Sequence, residues 1–164
     1  MEQILIQNAQ AFALKHHLRL AERLGFGIHG IIFAAVGNPE SGATAVKAHR
    51  FWEPYIRELA VYERLREAGL RKILGFNVPQ LLRQEDDRRV FEMSIVTRPF
   101  VLDFAGAYLD APPEFPDELW ADWESEKREQ FDLRWPQVQL VLGKLKELGI
   151  HMMDVSPSNI AFLE

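Results

Sequence analysis

The sequence predicts an α+β fold with an antiparallel sheet, on three observations. Helical spacing of apolar residues recurs in separate stretches of the chain. The β-rich stretches between them follow one another across short turns, the pattern of hairpins rather than of parallel strands with crossover helices. The composition, 48% hydrophobic and 26% charged over 164 residues, is that of one globular domain with a core of its own.

Each element has its own warrant. Residues 4–20 place Ile4, Ala9, Phe12, Ala13 and Leu20 near helical spacing and read as an amphipathic helix. Residues 21–36 hold a glycine-rich centre between apolar flanks, which reads as strand, turn, strand. Gly37-Asn38-Pro39 and Ser41-Gly42 are turn chemistry, and Thr44 to Ala48 is a short β run. From Trp52 onward the pattern is helical, with Ile56, Leu59, Tyr62 (or Ala60) and Leu65 on one face, Pro54 near the start and Gly69 near the end. Val78-Pro79 opens a strand, Glu85-Asp86-Asp87 turns it, and Arg89 to Phe100 is the strongest strand by β-branched and aromatic content. Residues 110–134, with Pro112, Pro113, Pro116, Trp120 and Trp123, read as a loop and a short helix. Trp135 to Leu148 is an amphipathic helix that Gly149 closes, and a loop leads to the apolar run Ile160 to Leu163.

Charge and composition exclude several functions. A formal charge of −5 speaks against a nucleic-acid partner. The absence of cysteine removes thiol catalysis, disulfides and cysteine zinc sites. No apolar run reaches the ~18 residues of a membrane span, and the amino terminus lacks a positive leader, so a cytoplasmic protein with no membrane partner is expected. The five histidines form no H-x-x-x-H or H-E-x-x-H pair, and serine-hydrolase motifs are missing.

Three motifs carry chemistry. Gly25-Phe26-Gly27-Ile28-His29-Gly30 is G-x-G-x-x-G, whose glycines let backbone N–H groups approach phosphate oxygens. Because a strand follows it, a dinucleotide-binding turn fits badly, and taken alone it suits a ligand-free hairpin equally well. Lys47 stands on the next strand, and Glu58 on the helix after it could orient that ammonium; singly, each also suits a solvated surface residue. Asp154 and Asn159 lie five residues apart on the loop after the last helix. A carboxylate there could accept a hydroxyl proton while the amide oxygen ligates Mg²⁺, although Asp-x-Ser-Pro-x-Asn is also ordinary turn composition.

In this order, the three motifs resemble the protein-kinase-like superfamily, which includes protein kinases and phosphotransferases of the aminoglycoside and choline type. The resemblance runs from about Leu18 to the last residue. It implies a kinase-like amino lobe and hinge at 1–101 (an antiparallel sheet plus one helix) and a truncated helical second lobe at 102–164, within a single domain. It also implies nucleotide binding by Gly25, Gly27, Gly30, Lys47 and Glu58, with the 95–101 hinge meeting adenine through Thr97, Pro99 and Val101. By the same resemblance Asp154 is the catalytic base, Asn159 a metal ligand, and ATP and Mg²⁺ the cofactors.

Two departures qualify it. Met152 stands where the family has a histidine, with His151 one place earlier. No Asp-Phe-Gly triplet follows Asn159, so the family's main metal ligand is missing and phosphotransfer is expected to be impaired or absent. The expectation is a nucleotide-binding pseudokinase-like protein. The alternatives are an active small phosphotransferase, of the serine/threonine or small-molecule kinase kind, and an interaction scaffold that binds no nucleotide. The chain is expected to be a natural short protein rather than a fragment, with a homodimer or protein partner covering 135–164. Trp120 and Trp123 are expected to pack within their helix, with closure over a substrate or a partner contact as alternatives.

Overall fold

A computed structural model describes residues 1–37, 40 and 42–164. The turns assigned to Asn38, Pro39 and Ser41 lie outside the described residues. The fold is α+β. Helix α1 (Glu2–Lys15) precedes strands β1 (Arg19–Phe26), β2 (Gly30–Val36) and β3 (Ala43–His49), and helix α2 (Trp52–Glu67) follows. Two-residue strands β4 (Lys72–Ile73) and β5 (Phe76–Asn77) lead to β6 (Leu81–Glu85) and β7 (Val90–Ser94). The remainder comprises β8 (Phe100–Val101), β9 (Tyr108–Leu109), α3 (Asp117–Phe131), α4 (Trp135–Glu147), β10 (Ile150–His151) and β11 (Ile160–Ala161).

The main sheet is antiparallel, in the order β1-β2-β3-β7-β6. Side chains alternate across it, so it has two apolar faces. On one face α1 buries Leu5, Ala9 and Phe12 against Ile31, Ala35, Val46 and Ala48. On the other face α2 packs Leu59, Tyr62 and Leu65 into a core that continues without a break into the second half, to Val138, Leu145, Ile150 and Ile160. A smaller sheet, β11-β8-β5-β4, and the pair β10-β9 tie that half together. Arg64 of α2 bridges the halves, meeting Asp110 at 2.7 Å and donating to the Leu148 carbonyl.

Several boundaries differ from the sequence expectation. The first helix ends at Lys15, and Leu20 belongs to β1. Ala9, Phe12 and Ala13 are buried as expected, but Ile4 faces solvent and Leu5, one turn before Ala9, takes its place in the core. In α2, Ile56 is likewise outside and Tyr55 inside. The strand expected over 89–100 spans only Val90–Ser94 in the main sheet, and Phe100 and Val101 pair instead in the smaller sheet as β8. The helix after Pro116 has 15 residues rather than a few. In the stretch 135–164, α4 turns Trp135, Val138, Val141, Leu142 and Leu145 inward and leaves Leu140 exposed. Among the described residues no helix is long and apolar enough to cross a membrane.

Candidate functional site

The site is built on β3. Its side chains at 45, 47 and 49 share the face that meets α2, by the two-residue period of a strand. Lys47 and His49 therefore point at the same helix, and Glu58 on that helix receives both. The Lys47 Nζ lies 2.7 Å from Glu58 Oε2 and donates to Oε1 at 2.9 Å. His49 Nε2 lies 2.8 Å from Glu58 Oε2. All three side chains are buried.

Burial penalises the charged form of each group, so the partners decide the outcome. Burial alone would push the Glu58 carboxyl up, but Lys47 and the His49 hydrogen bond outweigh it and hold it at about 2. Burial pulls the Lys47 ammonium down, yet Glu58 and Asp103 outweigh that and hold it above its usual value. For His49 burial wins, with Lys47 acting the same way, and the ring titrates below its usual value.

Asp103 is the residue that sequence reasoning missed. It follows β8, and its Oδ1 lies 3.6 Å from Lys47 Nζ. That oxygen is buried and has no hydrogen-bond partner, although the side chain as a whole is 29% exposed. The backbone there has φ 70°, a left-handed conformation uncommon outside glycine. A signal did exist: Asp103 is the only charged residue in Pro99 to Ala107, an otherwise apolar run. A lone carboxylate inside a buried run needs a buried partner. His49 also carried a signal, its two-residue spacing from Lys47.

The glycine turn lies at the end of the same sheet. Gly25, Ile32, Lys47 and Phe91 form one cross-strand row. The Gly27 N–H donates to the Gly30 carbonyl at 3.0 Å and closes the turn. Its bulky members point outward, with Phe26 and Ile28 48% and 76% exposed. A Cβ at Gly27 would meet nothing within 4 Å, whereas one at Gly30 would stand 2.0 Å from the Ala48 carbonyl oxygen. Gly30 is thus required by packing between strands, and Gly27 is the glycine with open space. Arg50 anchors the turn, donating its main-chain N–H to the His29 carbonyl at 2.8 Å and stacking over Phe26.

In the linker the carbonyls of Thr97 and Pro99 accept from the Asn77 side chain and main chain, at 2.9 and 2.8 Å. Val101 is fully buried and paired with Ile160. Thr97 and Pro99 thus hold the linker to β5, and Val101 holds it to β11.

Asp154 is exposed on the last loop. The loop is tied internally: Asn159 Nδ2 donates to the Asp154 carbonyl at 2.9 Å, and the Asn159 N–H to the Ser156 carbonyl at 3.0 Å. The Asn159 carbonyl in turn accepts from the Leu102 N–H at 2.9 Å, which brings this loop against the residue preceding Asp103. Met152 and Val155 are buried anchors on either side of Asp154. Among the described residues no group of three His, Asp or Glu side chains could hold a metal.

A cavity of about 430 Å³ has a lining that does not include Lys47. Trp120, Trp123, Trp135, Leu142, His151 and Met152 line it. The tryptophans stack edge to face in sequence, so α3 packs its indoles against α4. No family model matches the chain, and no curated protein matches it.

Proposed function

We propose that the chain is a kinase-like nucleotide-binding protein. Its phosphates are held between the Gly25–Gly30 turn and Lys47, and its base meets the start of the 95–101 linker. The observation that carries this reading is the buried Lys47–Glu58 pair, 2.7 Å, on the row that ends at Gly25. An ammonium oriented by Glu58, with Asp103 3.6 Å away, supplies positive charge for a phosphate, and the backbone around the open Gly27 can approach it as well. The order of strands, with α2 directly after β3, suits a kinase-like amino lobe. The outward Phe26 and Ile28 argue against a scaffold whose turn has folded into the cleft. In the phosphotransferase alternative Asp154, exposed on a loop braced by the buried Val155, would be the residue that accepts the hydroxyl proton.

The test is calorimetric titration of the full chain with ATP and ADP in EDTA, beside Gly27→Glu. That position has room for a side chain, so the variant keeps its fold and melting temperature while setting a carboxylate against the phosphates. Binding by the parent chain, weakened at least tenfold in the variant, is the expected result. No binding at millimolar nucleotide, or equal binding by both proteins, overturns the reading.

A further inference from the structure

The groove between α3 and α4 plays no part in the nucleotide reading. Its cavity, about 430 Å³, falls within the size range of small-molecule sites. Helix α4 lines it with one stripe, Trp135, Gln139, Leu142, Gly143 and Lys146, whose three- and four-residue steps share a helix face. Helix α3 lines it with Trp120, Trp123 and Glu124, spaced in the same way. The indoles of Trp120 and Trp123 stand at 81° to each other, and those of Trp123 and Trp135 at 68°. Met152 and Met153, after β10, add two thioethers. Indole faces and edges together with soft sulfur suit an aromatic ring better than an aliphatic chain.

Gly143 keeps the groove open. It stands in the interior of α4, where glycine is among the poorest helix formers. No close approach of another element requires it, because a Cβ there would meet nothing within 4 Å. A larger side chain at this point of the stripe would occupy the groove.

The polar groups of the lining select the charge of the ligand. Glu124 is spent on Arg128, 3.0 Å away. Lys146 carries no ion pair among the described residues. Trp135 is 4% exposed and its indole N–H, which can only donate, has no acceptor. His151 Nδ1 is buried without a partner as well. Buried polar atoms in this condition are uncommon, and each costs free energy until it finds a partner. A free ammonium and a free indole N–H both call for an acceptor.

We infer that this groove binds a planar aromatic carboxylate, its rings among the indoles and methionines and its carboxylate on Lys146. The inference stands independently of the nucleotide reading.

The probe is 2-naphthoate, beside 2-naphthylmethanol and 2-naphthylmethylammonium, which keep the rings and change the charge. Calorimetric titration of the full chain is compared with Gly143→Leu, Lys146→Gln and Gly27→Glu. The expected result is one 2-naphthoate per chain, bound more tightly than the cation. Gly143→Leu should weaken it about tenfold or more by occupying the groove, while its melting temperature stays at or above the parent's, because leucine is the better helix former. Lys146→Gln should weaken 2-naphthoate and leave 2-naphthylmethanol unchanged. Lys146 is exposed, so that variant keeps the test decisive if Gly143→Leu fails to fold. Gly27→Glu, in the glycine turn, should bind the probe as the parent does. No binding at millimolar 2-naphthoate, parent affinity in folded Gly143→Leu or Lys146→Gln, tighter binding of the cation, or loss of the probe in Gly27→Glu overturns the inference. None of these readouts involves ATP, so the nucleotide reading stands or falls separately.

Discussion

Three ionisable groups share one buried point at Glu58, and their pH behaviour follows from which one burial defeats. His49 titrates below its usual 6.5, so the folded state binds fewer protons there than the unfolded chain. Its contribution to stability is present above about pH 6.5 and is lost as pH falls towards its lower folded value. Glu58 is held at about 2 against an ordinary 4.5, and its contribution is lost later, as pH falls through that interval. Lys47 is raised above 10.5 and enters only the alkaline limb. Urea unfolding should therefore give a lower stability at pH 5.5 than at 7.5, with a second fall below 4.5. His49→Gln keeps a donor for Glu58 and should shrink the first fall, the remainder coming from His16, which burial also lowers. An unchanged first fall in that variant would assign it elsewhere. Lys47 and Glu58 were legible in the sequence because strand and helix succeed each other there. Asp103 was not, because its approach to Lys47 spans 56 residues of chain.

At the scale of elements, the β1–β2 hairpin shows how one motif divides between packing and recognition. Gly30 is glycine because the backbone of β3 lies against it; the obstructing atom is the Ala48 carbonyl oxygen, which cannot move as a side-chain tip would. Gly30→Ala should lower the unfolding free energy by about 3 kcal/mol or more, near the top of the range for single substitutions. Gly27→Ala, facing open space, should stay within about 0.5 kcal/mol of the parent in the same urea experiment. Equal effects at the two positions would refute this division. The hairpin, β3 and α2 were all legible from short-range pattern. The strand expected over 89–100 was not correctly bounded, because β propensity is continuous there while the sheet ends at Ser94. Strands of two residues, β4, β5 and β8 to β11, leave no period to read.

The molecule as a whole has one continuous core across α2, the small sheet and α4, with the α1 face of the main sheet as a second cluster. Arg64 adds a polar tie between the halves. A core shared in this way predicts cooperative unfolding. Far-UV circular dichroism and tryptophan fluorescence, the latter weighted to the second half by Trp120, Trp123 and Trp135, should give superimposable urea transitions. Two separated transitions would mean that the linker at 95–99 divides the chain into independent units.

The sequence by itself determined the fold class, the helix and strand periods, the turn at Gly25–Gly30 and the pairing partners Lys47 and Glu58. These depend on backbone preference and on side-chain spacing within a few residues, and both are local. Only the tertiary structure decided that Asp103 meets Lys47, that Asn159 lies beside Leu102, and that α1 covers the face of the sheet opposite α2. Such meetings bring together segments far apart in the chain. They are set by how the whole apolar core packs, for which no short stretch of sequence carries the information.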